Sequence, residues 1–125
     1  MPTETRWEVP KRVIYTRYFG NMTMEDIVAV ISDLERYLEE GIPLVHTIMD
    51  VGEVETYPNL LELTRLKFKQ NDRQGWTIFV GAQGVARFAA SVTSQLAGSR
   101  FRLFDTFEEA VAFLNEQDDT LGDTS

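Results

Sequence analysis

Asp50, Glu53 and Glu55 place carboxylates close together, directly after an apolar run. Carboxylates at such spacing could hold a hard divalent cation or share acid–base work. The spacing is not that of an EF-hand loop, and the alternating Asp/Asn oxygens of such a loop are missing. A solvated acidic loop accounts for Glu53 and Glu55. Asp50 differs because it closes the apolar run. There it can accept hydrogen bonds from a ligand or partner or, as Asp more commonly does, from backbone N–H groups of the following turn.

Gly81-Ala82-Gln83-Gly84 precedes a helical pattern, so its backbone N–H groups could receive an anion. Arg87, near the start of that helix, opposes the helix dipole unless an acid or anion is close. The segment lacks the Walker lysine and the three-glycine dinucleotide pattern, and a plain turn explains it as well. His46 is the single histidine of the chain and lies inside an apolar strand. It has no second histidine with which to share a metal, and no Gly-x-Ser-x-Gly elbow accompanies it. A hydrogen-bonded core histidine is the expected role. The absence of cysteine removes thiolate catalysis, disulfides and cysteine-held metals. No catalytic residue, metal ligand or cofactor is assigned from the residues.

The elements that position these groups follow from periodicity. Glu4 to Gly20 alternates as β structure around a turn at Pro10-Lys11, with charges on both faces that suggest a strand near a sheet edge. Thr23 with Asp26 forms a short-armed capping box, and Met22 with Ile27 a hydrophobic staple. Met24, Ile27, Ile31, Leu34 and Leu38 form the inward stripe of that helix. Gly41 is expected as its left-handed stop, with Pro43 preventing continuation. Leu44 to Val51 reads as a central strand covered on both faces, and Gly52 to Pro58 as an acidic loop. Asn59 with Glu62 can cap a helix to about Gln70. Trp76 to Val80 is a strand, residues 85–97 a helix stopped by Gly98, and Arg100 to Phe104 a short strand. Asp105 or Thr106 caps the last helix, whose core face is Phe107, Ala110, Val111 and Leu114.

Alternating strands and helices predict an α/β domain with right-handed crossovers and a mixed, mostly parallel sheet of four to five strands with about four helices. The chain has 125 residues and a mass of 14.3 kDa, sufficient for one domain. That domain is expected over 1–116. Residues 117–125, acidic and poor in large apolar side chains, are expected to form a disordered tail. Twelve basic residues against twenty acidic ones give a net charge of −8, which disfavours nucleic acid as a partner. No signal-peptide pattern or bilayer-length apolar run is present, so no membrane insertion and a cytoplasmic location are expected.

The strand ending in Gly20, the Thr23-Met24-Glu25-Asp26 helix start, Asp50-Val51, and the stretch from Phe101 to Ala110 followed by Phe113-Leu114 together resemble the STAS-type domain in its SpoIIAA-like branch. The resemblance covers about Trp7 to Leu114. It implies a non-enzymic module that acts by binding a protein partner or a small ligand. Antagonists of that family carry a phosphorylatable serine at the start of the helix after the Asp-terminated strand. Here that stretch is Thr56-Tyr57-Pro58-Asn59-Leu60 and holds no serine, so the serine switch does not carry over.

Ligands of open α/β sheets sit beyond the carboxyl ends of the strands. The candidate ligand- or partner-binding residues are therefore Asp50, Thr56, Tyr57, Asn59, Gly81, Gly84, Arg87 and Asp105. Arg65, Lys67, Lys69 and Arg73 form a basic cluster that could meet an acidic partner or the chain's own tail. Ala86, Ala89, Ala90, Ser91, Ser94 and Ala97 make the third helix small enough for a homodimer contact or for close packing on its own sheet. The alternative function is a carrier of a small apolar or amphipathic molecule, in a pocket between sheet and helices lined by Phe79, Phe88 and Phe104.

Overall fold

The structure, a computed structural model, describes residues 3–63, 72–84, 87, 89–91, 94, 95, 98 and 100–124. The first two strands, β1 (Thr3–Val9) and β2 (Val13–Asn21), form an antiparallel hairpin. They are followed by helix α1 (Met24–Glu40), strand β3 (Val45–Thr56), the short helix α2 (Leu60–Leu63) and strand β4 (Gln74–Val80). Strand β5 (Arg100–Phe104) and helix α3 (Phe107–Gln117) come next, and a 3-10 helix spans Asp119–Thr124. Residues 87, 89–91, 94 and 95 are helical between β4 and β5. The sheet order is β1-β2-β3-β4-β5, with every pair after the hairpin parallel. The domain is thus the expected single α/β unit with a mostly parallel sheet.

Strand parity divides the core into two layers. Val13, Ile48, Ile78 and Val80 point to one face, where Ala110 and Leu114 of α3 cover them together with Leu121. Tyr18, Val51 and Phe79 point to the other and meet Val30 of α1, Ala82 and Ala90. Ile14, Val45 and Leu38 extend that second layer towards Trp7 and Tyr37. Val30, wholly buried, joins the inward stripe of α1. The capping box is present: Thr23 Oγ1 accepts from Asp26 N–H at 3.2 Å, and Asp26 Oδ2 accepts from Thr23 N–H at 3.0 Å.

Two expectations are corrected. The acidic stretch after Val51 is not a loop. β3 runs to Thr56 because β2 is long enough to pair with it, matching Phe19 to Glu53, Gly20 to Val54 and Asn21 to Thr56. The hairpin lies near the sheet edge as expected, with β1 outermost and β2 paired on both sides. Gly41 ends α1 in extended backbone (φ −80°), not left-handed. Glycine is needed there for space, as a Cβ would lie 2.5 Å from Val45 Cγ2 and 2.9 Å from the Lys11 carbonyl oxygen. Beyond Gln117, Leu121 is 6% exposed against the α3-side core, and Asp118 is held by two buried side chains.

The expected helix 59–70 is described over Leu60–Leu63, and the remainder lies outside the described residues. Among the described residues no helix is long and apolar enough to cross a membrane.

Candidate functional site

The carboxyl end of β4 meets the middle of β3, with Val80 opposite Asp50. Asp50 is half-buried and both of its oxygens are engaged. Oδ2 accepts from the Tyr15 hydroxyl at 2.7 Å and Oδ1 from Gly52 N–H at 3.2 Å. The backbone acceptor role foreseen for Asp50 is therefore present, joined by a tyrosine 35 positions away. Burial and the Asp50 carboxylate push the Tyr15 hydroxyl up to about 12, so it stays protonated and donating. The Tyr15 ring stands edge-on to Phe107 of α3 at 5.4 Å, and the Arg6 guanidinium lies 4.5 Å from its centroid.

Two glycines allow the backbones to close around this point. Gly81 has φ +77°, and a Cβ there would fall 2.8 Å from Gly52 Cα. Gly81 N–H donates to the Phe104 carbonyl at 3.0 Å. That bond brings the end of β5, and hence Asp105, to the same edge. Thr106 rather than Asp105 caps α3: its Oγ1 accepts from Glu109 N–H at 3.2 Å. Asp105 is exposed in front of that cap.

The remaining candidates form a separate group. β3 continues six residues beyond Asp50, a length of about 20 Å. Thr56 therefore lies beside Asn21, to whose Oδ1 it donates at 2.9 Å, while its carbonyl accepts from Met22 N–H at 3.0 Å. Tyr57 packs into the α1-side core with its hydroxyl 3.5 Å from the Val51 carbonyl, and burial raises its pKa. Asn59 Oδ1 accepts from Leu61 N–H at 2.7 Å, which caps α2 as its sequence suggests. Gly84 (φ +54°) accepts at its carbonyl from Arg87 N–H at 3.1 Å, and Arg87 is exposed. Asp50, Gly81 and Asp105 thus share one edge, while Thr56 and Asn59 lie at the far end of β3.

The opposite ends of the strands hold a cluster that residue types alone did not reveal. His46 is 1% exposed. Its Nδ1 accepts from Trp76 N–H at 2.9 Å, so Nε2 carries the proton and donates to Asp118 Oδ2 at 2.8 Å. Arg12 Nη2 reaches the same oxygen at 2.7 Å, and its Nε and Nη2 each donate to the Leu44 carbonyl at 3.2 Å. Burial lowers the His46 pKa, against the pull of Asp118. Hydrogen bonds from Thr120 and His46, aided by Arg12, hold the Asp118 carboxyl at about 2 although burial opposes them. His46 is therefore the bonded core histidine the sequence suggested. Among the described residues no alcohol is bonded to its ring.

Several other readings now have places. Arg73 sits at the end of α1, where it donates to the Leu38 carbonyl at 2.7 Å and to the Gly41 carbonyl. Arg65, Lys67 and Lys69 lie outside the described residues. Ala89, Ala90 and Ser94 are buried, so these small residues serve internal packing. Phe79 and Phe104 face opposite sides of the sheet and belong to different core layers. They cannot line one pocket, and Phe88 lies outside the described residues. Among the described residues no group of three His, Asp or Glu side chains could hold a metal ion.

A mixed five-stranded sheet with α3 on one face and α1 on the other defines an α/β class of domain. Comparison with solved structures defines it further. The chain is similar to an uncharacterised protein of the DUF3478 family with a SpoIIAA-like fold from Shewanella loihica PV-4, at 17% identity and a TM-score of 0.61, over 90% of this chain and 93% of that one. It is also similar to the anti-sigma factor antagonist SpoIIAA in its unphosphorylated form, at 13% identity and a TM-score of 0.62, over 91% of this chain and 96% of that one. The fold is SpoIIAA-like. No family model and no curated protein matches the sequence.

Proposed function

We propose that this domain is a non-catalytic regulatory or binding module of STAS type, which recognises a protein partner through the carboxyl ends of its parallel strands. The observation that carries this reading is the state of Asp50. Its two oxygens are occupied by Tyr15 and Gly52, which makes it a fixed acceptor on a rigid edge rather than a proton shuttle. Asp105 and Gln83 stand exposed on the connections that follow β5 and β4, and Asn59 on the connection after the far end of β3, as a broad recognition surface requires and a single catalytic pocket does not. The likeness to an anti-sigma factor antagonist supports the choice of a protein as partner. The Thr56–Leu60 stretch holds no serine, so the family's serine switch at that position is not part of this reading.

The test is site-specific photo-crosslinking in extract of the source organism. A photoreactive residue at Asn59 or at Gln83 should each yield the same discrete protein adduct, and one at Arg36 on α1 should not. An identical adduct from all three positions, or no adduct from either edge position, would reject the reading. Native mass spectrometry of the purified chain separates the carrier alternative, which demands extra mass lost on denaturation.

A further inference from the structure

The sheet has two outer edges, and they are finished differently. At β1 the Tyr37 hydroxyl reaches from α1 to the Thr5 carbonyl at 3.3 Å. The charges of β1 are also satisfied locally: Arg6 pairs with Glu8 at 2.6 Å, and Glu4 lies 3.6 Å from Arg17. β5 is paired on one side only, by β4. Its exposed residues are Arg100 and Arg102, which share the α3-side face because they stand opposite Trp76 and Ile78. Arg6, Arg12, Arg17 and Arg36 each meet a carboxylate. Among the described residues neither Arg100 nor Arg102 has one within ion-pair range. In a chain of net charge −8, two adjacent arginines without carboxylates stand out.

The two guanidiniums are also pre-positioned. Arg100 lies 5.5 Å and Arg102 6.0 Å from the Trp76 ring centroid, and Arg102 is 5.7 Å from that of Phe113. Trp76 and Phe113 brace each other edge-on at 5.0 Å. Stacking on a rigid aromatic pair limits the rotamer freedom that would be lost on binding. On the opposite face, Phe101 and Leu103 are half-buried against the α1-side core and extend it to the sheet edge.

We propose that β5 is a docking edge for an extended acidic segment of a partner protein, which adds as a sixth strand. Backbone hydrogen bonds to the outer side of β5 would provide the affinity, and side chains at alternate positions the specificity. Residues two apart on a strand are separated by about 6.7 Å. A segment with acids at every second position would therefore set successive carboxylates against Arg100 and Arg102. Its intervening apolar residues would continue the layer made by Phe101 and Leu103. The partner chemistry is thus acid–apolar alternation. This surface is distinct from the carboxyl edge considered above, and the proposal does not rest on it.

The probe is the synthetic peptide acetyl-Glu-Val-Glu-Val-Glu-Val-amide, titrated into isotope-labelled protein and followed by amide NMR, with the Lys-Val repeat as comparator. The acidic peptide should perturb residues 100–104 most, slow amide exchange there, and bind at least about tenfold more tightly than the basic one. The double variant R100E/R102E should reverse that preference. Because both side chains are exposed, the variant should keep the wild-type spectrum elsewhere. If it does not, R102Q replaces it and should lower affinity for the acidic peptide several-fold. Absence of binding at millimolar peptide, equal binding of both peptides, or perturbations centred outside β5 would overturn the proposal. The arginines would then serve only to keep other strands off an open edge.

Discussion

The two ends of the parallel strands treat their polar groups in opposite ways. At the amino ends, Arg12 and His46 are buried and, with the partly exposed Asp118, are bonded to one another, to Trp76 N–H and to the Leu44 carbonyl. At the carboxyl ends, Asp50 is bonded to Tyr15 and Gly52 but remains half-buried, and Asp105, Asn59 and Gln83 are open to solvent. A closed polar cluster fixes one arrangement of chain segments, because each member left alone would be a buried unpaired group. It joins the β1–β2 turn, β3, β4 and the C-terminal segment. An open edge leaves acceptors available to something outside the molecule. One end is built for holding and the other for meeting.

The contrast is sharpest in stability. Asp118→Ala removes the common partner of Arg12 and His46 and leaves a buried guanidinium without its counter-charge. A loss of about 3 kcal/mol is expected, read from urea unfolding. Asp50→Asn keeps the shape and an acceptor oxygen, and should cost below about 1 kcal/mol. Equal losses for the two variants would erase the distinction between the ends.

Acid should act on the amino end first. The folded pKa of His46 is lowered from 6.5, so the unfolded chain takes up a proton more readily. Stability is therefore complete above about pH 6.5 and declines as the pH falls below it. A second proton on Nδ1 would also oppose the Trp76 N–H that Nδ1 now accepts. Asp118, at about 2 in the fold against 3.8 unfolded, adds a further loss between about pH 4 and pH 2. With a single histidine in the chain, its NMR titration is unambiguous. His46→Gln should flatten the slope of stability between pH 7 and 5. An unchanged slope would mean that the histidine is not the group responsible.

Alkali should act on the other end. Tyr15 contributes stability in its protonated form, present below about pH 10 and lost as the pH rises towards about 12. Tyr15→Phe should cost about 1 kcal/mol at neutral pH and remove one late-ionising tyrosine from the ultraviolet titration. A larger cost, near that of Asp118→Ala, would make the Asp50 edge as structural as the amino end.

Legibility followed sequence distance. The Thr23–Asp26 box, the Pro10-Lys11 turn, the strand and helix order and the Asn59 cap all depend on neighbours within a few residues, and each could be read directly. The Tyr15–Asp50 and His46–Asp118 bonds span 35 and 72 positions. They depend on strand pairing and on where the C-terminal segment packs, which no local pattern encodes. The acids of Gly52–Glu55 hid the extension of β3 because pairing with β2, not composition, makes that stretch a strand. Asp118 was hidden for a related reason. In a run of acids near the end of the chain, nothing marks the one that turns inward.

The smallest expected effect bears most directly on function. Asn59 lies on the exposed surface and caps α2 through one bond to Leu61 N–H. Asn59→Ala should therefore reduce stability by about 0.5 kcal/mol, the low end for a cap, and Asn59→Asp should retain the cap. If the edge is a recognition surface, Asn59→Ala and Asn59→Asp should both weaken the adduct formed through Gln83, because each changes the outward amide. If Asn59 acts only as a cap, Asp should preserve that adduct and Ala should lower it no more than the small stability change requires. A cost near 2 kcal/mol for Asn59→Ala would assign the residue to holding the fold and move the boundary between the two ends.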